Sequence, residues 1–451
     1  MSNYGSFSVQ SVQTETRQCS LPDNLLRQAG WRPGDTVVLR FGTARVHARL
    51  GVAPNGRCLV SAVLLRRLAL PARRLNYQIN PSERSIRFGP LIGIMTTWTM
   101  TAYFRAVMVA AARSGMMAVV FRPADVCGSR GRMQAWALTA SGIRRVAVPW
   151  PDVVYNRIPN RGGEMLGSTR LCKRLLARRG IPVFNRTFFH KWRIYRLLRR
   201  DETGNSHLPE SHPLTNLSQV PRMLQRYPMV YLKPNGGSKG IGIVKVNRLP
   251  GGRYSISYRK GHRNYQLTSS SWAEAQHLVR RGMNPRSYVI QEGLRLARYR
   301  GRPFDVRVTL YKDGNGKWIP SGPAAKIAGR GSITTHVHNG GYVVPLSRAL
   351  NHAFGDQAEL VYEKIKQASV EIAQAVERVT NLELGELGLD IGVTANGRVA
   401  MFEANSKPGR TIFSPRFARD ERRRSLFYLC GYAARLAGFG VKEDGDEQQK
   451  A

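Results

Sequence analysis

Two carboxylate residues near the end of the chain have the spacing of a metal site. They lie in LGLDIGVTANGRVAMFEANSKPGR, residues 387–410, where Asn396-Gly397 is typical of a two-residue hairpin turn. Counting outward from that turn places Asp390 opposite Glu403 on adjacent strands. Opposed carboxylates among apolar neighbours repel each other, so we favour a bound divalent cation, Mg²⁺ or Mn²⁺, over a solvated acidic pair.

An amide and a guanidinium group follow these acids. Asn405 lies two residues beyond Glu403, so its side chain shares a face of the strand with that carboxylate. The predicted metal ligands are therefore Asp390, Glu403 and Asn405. The turn at residues 408–410 then places Arg410 beside the acids, where it is either a partner of Glu403 or a clamp on a substrate.

A glycine-rich hairpin forms a second group of residues that could bind an anion. In MVYLKPNGGSKGIGIVKV, residues 229–246, an apolar strand ends at Lys233 and small residues follow it. Glycines let backbone N–H groups approach phosphate oxygens closely, and a lysine neutralises their charge. The spacing fits neither a Walker A loop nor a dinucleotide-binding fingerprint, and a hairpin with an incidental lysine is the alternative.

A third group lies between these two segments. One strand ends at Gln291, and a later strand carries Asp305 and Arg307 on the same face. Arg307 near phosphates would stabilise the charge of a phosphoryl-transfer transition state. The alternative is that Arg307 forms a salt bridge with Asp305.

The surrounding sequence predicts the elements that position these residues. Residues 1–88 contain short alternating runs broken by Pro and Gly, which predicts a small β-rich module. Residues 89–183 alternate apolar strands with helical stretches, as in an α/β domain with a parallel sheet. Apolar residues at helical spacing predict a long helix over residues 359–380, and residues 441–451 form a polar tail that we expect to be disordered.

The charge of the chain narrows the kinds of partner. The 451 residues include 70 Lys and Arg against 29 Asp and Glu, a formal net charge of +41. Such a field attracts polyanions, whether nucleic acid, acidic polymers or nucleotide phosphates. No basic motif interleaved with aromatic residues supports nucleic-acid binding. Hydrophobic residues make up 42% of the chain, which excludes a disordered polycation.

The absence of targeting signals and the spacing of the cysteines argue against membrane, secreted and disulfide-rich classes of protein. We find no apolar run long enough to span a membrane and no secretory signal at the N-terminus, so we expect no membrane span and a cytoplasmic origin. The five cysteines are scattered and form no CxxC pair, which argues against a disulfide framework or a zinc knuckle.

Taken in order, the motifs resemble those of the ATP-grasp superfamily. The phrases PDVVYNRIPNR, FNRTFFHKW, YLKPNGGSKGIGI, FDVRV, GSITT and FEANSKPGR resemble more closely its spore-coat-associated YheC/YheD-type family, over residues 91–439. The resemblance implies that residues 184–440 form an ATP-grasp domain, in which two α+β subdomains clamp ATP. Residues 89–183 would then be the pre-ATP-grasp α/β domain that precedes it.

The resemblance also implies roles for individual residues. Asp390, Glu403 and Asn405 match the magnesium ligands of the superfamily, in agreement with the hairpin register. Arg307 and Lys326 would be catalytic, although Lys326 stands where related ligases often carry an arginine. The residues predicted to bind the nucleotide are Lys191, Lys233, Gly236, Gly237, Ser238, Gly240, Gly242, Gln291, Glu292, Leu294 and Asp305.

The activity implied by the resemblance is that of an ATP-dependent carboxylate-amine ligase with ATP and Mg²⁺ (or Mn²⁺) as cofactors. A substrate carboxylate would be phosphorylated to an acyl phosphate, and an amine would displace the phosphate to give an amide. The alternative is a structural or assembly protein of the spore coat that binds ATP without turnover. Either protein would work in the mother-cell cytoplasm or the spore coat, with an acidic polymer or coat proteins as further partners.

Overall fold

The computed structural model describes residues 3–54, 56–126, 131–235, 241–261, 263–283, 287–335, 340–410 and 418–440. The strands are β1 (Asn3–Val12), β2 (Gln18–Pro22), β3 (Thr36–Phe41), β4 (Ala44–Ala53), β5 (Arg57–Ser61), β6 (Arg74–Asn80), β7 (Ser85–Gly89), β8 (Leu91–Met95), β9 (Met117–Phe121), β10 (Arg132–Thr139), β11 (Gly142–Pro149), β12 (Val153–Asn156), β13 (Val183–Phe184), β14 (Ser211–Leu214), β15 (Met229–Pro234), β16 (Val244–Arg248), β17 (Tyr254–Lys260), β18 (Arg263–Ser269), β19 (Tyr288–Glu292), β20 (Arg298–Tyr299), β21 (Arg302–Lys312), β22 (Trp318–Ile327), β23 (Tyr342–Pro345), β24 (Glu386–Val393) and β25 (Val399–Asn405).

The helices lie between and after these strands. They are α1 (Asp23–Gln28), α2 (Ala62–Leu68), α3 (Ala102–Arg113), α4 (Arg161–Met165), α5 (Gly167–Arg178), α6 (Lys191–Leu198), α7 (Glu202–Ser206), α8 (Gln219–Arg226), α9 (Trp272–Gly282), α10 (Leu346–Phe354), α11 (Ala358–Thr380) and α12 (Arg419–Leu436). Within the ranges given above, no helix is long and apolar enough to cross a bilayer.

The N-terminal strands close into a barrel, which confirms the predicted β-rich module. The strand order is β1-β5-β2-β4-β3-β7-β6, and antiparallel pairing of β1 with β6 closes the ring. Along β3, Val37, Leu39 and Phe41 alternate with more exposed residues and point into the barrel. Leu91 and Trp150 extend the same apolar core into the next sheet, so barrel and sheet pack as one body.

The second sheet, here called the α/β sheet, has the order β11-β10-β9-β8-β12-β13. Its strands β8, β9, β12 and β13 are parallel, as predicted, whereas β10 and β11 add an antiparallel edge. Every residue of β8 and β9 is buried, as expected for parallel strands covered on both faces. Helix α3 and the C-terminal helix α12 contribute to the core on this sheet.

Two antiparallel sheets complete the fold. The third sheet has the order β14-β19-β15-β16-β17-β18, and the fourth has the order β23-β22-β21-β24-β25. The predicted long helix is α11, whose buried side packs against the fourth sheet through residues such as Ile365, Ile372 and Val376. Each sheet has its own apolar core, so the two are separate layers with a cleft between them.

The β24–β25 hairpin has the predicted pair but not the predicted turn. Asp390 lies opposite Glu403, as expected. Val393 pairs with Val399, however, so residues 394–398 connect the strands, and the prediction of a two-residue turn at residues 396–397 is wrong. The wider turn shifts the register of the hairpin by one residue.

A β-bulge at Phe402 cancels that shift. Ile391 pairs with Met401 and Asp390 pairs with Glu403, so Phe402 is an extra residue in β25. Consecutive residues of a regular strand point to opposite faces, but here Phe402 and Glu403 both line the cleft. Gly392 makes room for the ring, since a Cβ there would come within 2.3 Å of Phe402.

Asn185 fixes the start of β24 and the end of β25. It follows β13 with a φ of 53°, in the left-handed region that asparagine tolerates. Its buried amide group accepts hydrogen bonds from the backbone N–H groups of Gly385 and Glu386, at 2.9 and 3.2 Å. The same amide donates to the carbonyl oxygens of Glu386 and Ser406. One side chain therefore ties the α/β sheet to both strands that carry the predicted acids.

We expect Asn185→Ala to lower the free energy of unfolding by about 3 kcal/mol more than Asn381→Ala does, because buried backbone groups lose their partners. Asn381 is the matched control, since its φ of 49° is similar and its side chain is exposed. Urea denaturation followed by circular dichroism measures both variants. Equal losses would show that backbone strain, and not the buried amide, accounts for the effect.

Candidate functional site

An open cleft of about 1260 Å³ lies between the third and fourth sheets. The structure brings nine of the predicted residues together in its walls, whereas Arg307, Asn405 and Gly242 do not line it. Gly236, Gly237, Ser238 and Gly240 fall outside the described residues. The predicted residues that line the cleft are Lys191, Lys233, Gln291, Glu292, Leu294, Asp305, Lys326, Asp390 and Glu403.

Apolar side chains form part of the cleft wall, here called the slot. They include Ile243 before β16 together with Leu294 and Leu296 after β19. Trp192 and Tyr195 on α6 also line the cleft, and their rings stack at 5.3 Å with an interplanar angle of 13°. Such walls suit a flat, uncharged group such as a purine base. The sequence analysis missed both aromatic residues, although their spacing of three on a helix after Lys191 is a usable signal.

The polar groups beside the slot are largely occupied by their neighbours. Gln291 donates to Ser211 Oγ at 2.8 Å. The Glu292 side chain is held by Arg398 at 2.7 Å and accepts from the backbone N–H of Glu210 at 3.0 Å. The backbone N–H of Glu292 also donates to the carbonyl oxygen of Glu210 at 2.8 Å, so Glu292 holds the wall of the cleft in place.

Charged side chains of the fourth sheet form another part of the cleft wall. Lys326 on β22 lies beside Asp305 on β21, and its Nζ reaches across to Asp390 on β24. The distances from Lys326 Nζ are 2.7 Å to Asp390 Oδ1 and 3.1 Å to Asp305 Oδ1. Three adjacent strands thus place one ammonium group between two carboxylates.

Burial and the neighbouring charges both change the pKa values of Asp305 and Lys326. Burial raises the pKa of Asp305, and the positive charge of Lys326 opposes that rise. Burial alone would lower the pKa of Lys326, but Asp390 and Asp305 outweigh it and raise that pKa. The lysine therefore stays charged beside the acids.

Arg307 pairs with Asp390 and not with Asp305, so the predicted alternative of an Asp305 salt bridge is wrong. Arg307 lies directly opposite Asp390 on the neighbouring strand, which explains the choice. Its Nε is 3.3 Å from Asp390 Oδ1. Its Nη1 is buried against Gly388 and has no hydrogen-bond partner among the residues the structure describes.

Lys233 extends from β15 of the third sheet, whereas Lys191 begins α6, which packs on the fourth sheet. Lys191 forms a 2.8 Å ion pair with Glu403. Lys233 donates to Gln291 Oε1 and lies 5.0 Å from the centre of the Phe402 ring. Burial, together with the positive charge of Lys191, lowers the pKa of Lys233 to about 8.

The predicted metal ligands are only partly assembled. Asp390 and Glu403 are opposed, but each is held by a lysine, and Asn405 lies opposite Gly388, farther along the hairpin. Within the described ranges, no cluster of three His, Cys, Asp or Glu residues could hold a metal ion. The oxygen atoms of Asp390 and Glu403 suit Mg²⁺ chemically, since they are hard ligands and face each other across one strand pair. A cation would therefore replace lysines at these oxygens.

Arg410 is not a partner of Glu403. It donates to Glu386 Oε2 at 2.6 Å, and Arg157 donates to Glu386 Oε1 at 2.8 Å. We call these residues, with the tyrosines that bond to them, the Glu386 cluster: Tyr103, Tyr155, Arg157, Tyr311, Glu386 and Arg410. The cluster joins the α/β sheet to the fourth sheet, so Arg410 connects these two layers. Glu403 forms its ion pair with Lys191 instead.

We expect Glu386→Gln to destabilise the chain by about 3–5 kcal/mol, because it leaves two buried guanidinium groups without their carboxylate. Glu386 is fully buried, whereas Glu363 pairs with Lys366 on the surface of α11. The control Glu363→Gln should cost less than about 1 kcal/mol. Differential scanning calorimetry measures the loss of stability of both variants. Similar small losses would show that the Glu386 cluster does not hold the α/β sheet and the fourth sheet together.

The chain is similar to a known protein family and to two proteins of known name. Residues 180–436 match the family described as YheC/D like ATP-grasp, which is more than half of the chain. The endospore coat-associated protein YheD of Bacillus subtilis (strain 168) is 33% identical over 394 residues, covering 83% of this chain and 85% of that protein. The endospore coat-associated protein YheC of the same organism is 21% identical over 302 residues, covering 66% of this chain and 82% of that protein.

Solved structures with a similar arrangement are ATP-grasp and related ligases. The ATP-grasp ligase PsnB, complexed with minimal precursor, Mg and ADP, is 16% identical with a TM-score of 0.43, covering 77% of this chain and 98% of that one. The VanG D-Ala:D-Ser ligase from Enterococcus faecalis is 14% identical with a TM-score of 0.43, covering 76% and 99%. On the strength of the family match and the YheD identity, this chain belongs to the YheC/D-like ATP-grasp family.

Proposed function

We propose that the chain binds Mg-ATP in the cleft and uses it as an ATP-dependent carboxylate-amine ligase. The observation that carries the proposal is the lining of the cleft, which combines apolar and aromatic side chains with lysines and acids. A nucleotide has both kinds of chemistry, in an uncharged base and a charged polyphosphate. The family match supports a nucleotide as the ligand.

The base occupies the slot between α6 and the residues that follow β19. The backbone N–H of Leu294 then faces its edge, since the side chain of Glu292 is held by Arg398 and its backbone N–H by Glu210. The phosphates extend toward Lys191 and Lys233, whose charges offset theirs. We also propose that the glycine-rich segment after Lys233 covers the phosphates.

Asp390 and Glu403 would hold the magnesium ion, with Asn405 as the next oxygen donor along β25. The ion supplies charge neutralisation at the phosphates and fixes their orientation. Arg307 holds Asp390 in position through its 3.3 Å contact. This assigns Arg307 a positioning role, since it does not line the cleft.

The proposed reaction has two steps. A substrate carboxylate oxygen attacks the γ-phosphorus and ADP leaves, which forms an acyl phosphate. The nitrogen of an amine then attacks the acyl carbon and phosphate leaves, which forms an amide. Lys233 and Lys326 offset the negative charge that develops in the first step. The surplus of +41 charges favours acidic carboxylate substrates or acidic coat components as partners.

The second candidate function is that of an ATP-binding structural or assembly protein of the spore coat. The names of two relatives favour it, since both are endospore coat-associated proteins of Bacillus subtilis (strain 168). We propose the mother-cell cytoplasm or the spore coat as the place of action in either case. The two candidates differ in turnover and agree on nucleotide binding.

Calorimetry of ATP binding with and without Mg²⁺ tests the proposal. We expect magnesium-dependent binding in the wild type and a loss of about tenfold or more in Glu403→Gln, because a metal ligand loses its charge. Glu363→Gln, on the surface of α11, is the control and should bind as the wild type does.

Release of ADP in the presence of pooled amino acids and acidic peptides then separates the two candidates. Release that depends on an added amine supports the ligase. Binding without any release favours the structural protein, and no binding by the wild type would refute both.

The affinity for ATP should fall as pH rises above about 8. Lys233 is protonated below its pKa of about 8, and bound phosphate raises that pKa, so binding takes up a proton at higher pH. The dissociation constant is therefore constant below about pH 7 and increases up to tenfold per pH unit above about pH 8. Lys233→Arg, which stays charged, should flatten the profile. Parallel profiles for the two proteins would exclude Lys233 as the titrating group.

A further inference from the structure

Lys326 is bound to one of the two acids that are predicted to hold the metal ion. Its Nζ lies 2.7 Å from Asp390 Oδ1 and 3.1 Å from Asp305 Oδ1, on the face of the sheet that Asp390 shares with Glu403. A divalent cation bound by Asp390 and Glu403 would therefore lie close to this ammonium group. Two cations repel each other at that range, so the lysine and the metal compete for Asp390.

The two lysines that hold the predicted metal ligands differ in burial. The side chains of Lys326 and Asp390 are 10% and 9% exposed, whereas those of Lys191 and Glu403 are 42% and 24% exposed. An exposed ion pair contributes little and separates easily, while a buried one is costly to break because each charge is left without water. Lys191 therefore yields readily to a metal, and Lys326 does not.

A Lys326 displaced from Asp390 is left with Asp305 alone and needs a second anionic partner inside the cleft. Asp305 and Asp390 are the acids within its reach in the described structure, and the metal would take one of them. The phosphates of a nucleotide supply the missing charge, since Lys326 lines the same cleft as Lys191 and Lys233. Bound nucleotide would draw Lys326 away from Asp390, which favours the metal, and bound metal would release Lys326 for the phosphates.

We propose that Lys326 is an internal counter-ion that keeps free divalent cations off Asp390 until a nucleotide arrives and takes over the ammonium group. Metal and nucleotide consequently bind with positive coupling, and the free chain has a low affinity for the metal alone. The inference rests on the proposed binding of Mg-ATP in this cleft. It adds a reason why the position carries a lysine, which can move as one compact charge.

The test is the binding of Mn²⁺ alone, measured by electron paramagnetic resonance on the full chain. We expect Lys326→Met to bind Mn²⁺ about tenfold or more tightly than the wild type, because its competitor is gone. Lys191→Met is the matched control and should change the affinity less than about threefold. A substitution that merely loosened the sheet would weaken Mn²⁺ binding, so a gain is specific to competition. Equal or weaker binding by Lys326→Met, or a larger gain in Lys191→Met, would overturn the proposal.

The wild type supplies a second measurement if Lys326→Met folds poorly. Addition of the non-hydrolysable analogue AMPPNP should tighten Mn²⁺ binding about tenfold or more in the wild type, and Lys326→Arg should keep Mn²⁺ binding weak without nucleotide because the charge remains. Failure of AMPPNP to bind would count against the proposed function. Binding of AMPPNP that leaves the Mn²⁺ affinity unchanged would overturn the counter-ion role alone.

Discussion

A buried carboxylate must be paired with positive charge, and the fourth sheet is organised around that requirement at Asp390. Lys326 reaches Asp390 from β22 and Arg307 reaches it from β21, so three strands are held in register by one acid. The same face of β24 carries Glu386, where the alternation of the strand gives a second buried carboxylate. Gly388 lies between the two and leaves space for Pro408 and the Arg307 guanidinium. A single strand therefore supports both the charged end of the cleft and the joint to the α/β sheet.

The charged side chains of the cleft have partners within the protein when no ligand is bound. Glu403 holds Lys191, Asp390 holds Lys326 and Lys233 donates to Gln291, so each charged group has a neighbour of opposite charge or a polar partner. A site built in this way does not need to order its side chains when a nucleotide binds, but it must exchange one set of partners for another. The exposure of each pair decides which exchange is easy. Under the counter-ion proposal, the buried Lys326–Asp390 pair controls ligand binding at this sheet more than the exposed Lys191–Glu403 pair does.

Local patterns in the sequence were sufficient for the β-rich character of the N-terminal module, the parallel strands of the α/β sheet, helix α11 and the opposition of Asp390 and Glu403, but not for the closure of the barrel. That last prediction was right because two deviations cancel, a wide turn and the bulge at Phe402, and neither has a signal in the sequence. The role of Arg410 could not be predicted, because the Glu386 cluster draws Tyr103, Tyr155 and Tyr311 from distant parts of the chain. Residues that meet only after several strands have paired leave no periodic pattern. The stacked pair on α6, in contrast, had a visible spacing and was overlooked.

A crystal structure of the chain with AMPPNP and Mn²⁺, in which anomalous scattering locates the manganese, tests the proposed exchange at Asp390 most directly. If Asp390 exchanges Lys326 for a metal ion when nucleotide binds, we expect a peak at roughly 2.0–2.3 Å from the carboxylate oxygens of Asp390 and Glu403, with Lys326 Nζ moved from Asp390 to a phosphate oxygen. Manganese bound elsewhere, or bound at Asp390 with Lys326 still in contact with it, would contradict this exchange.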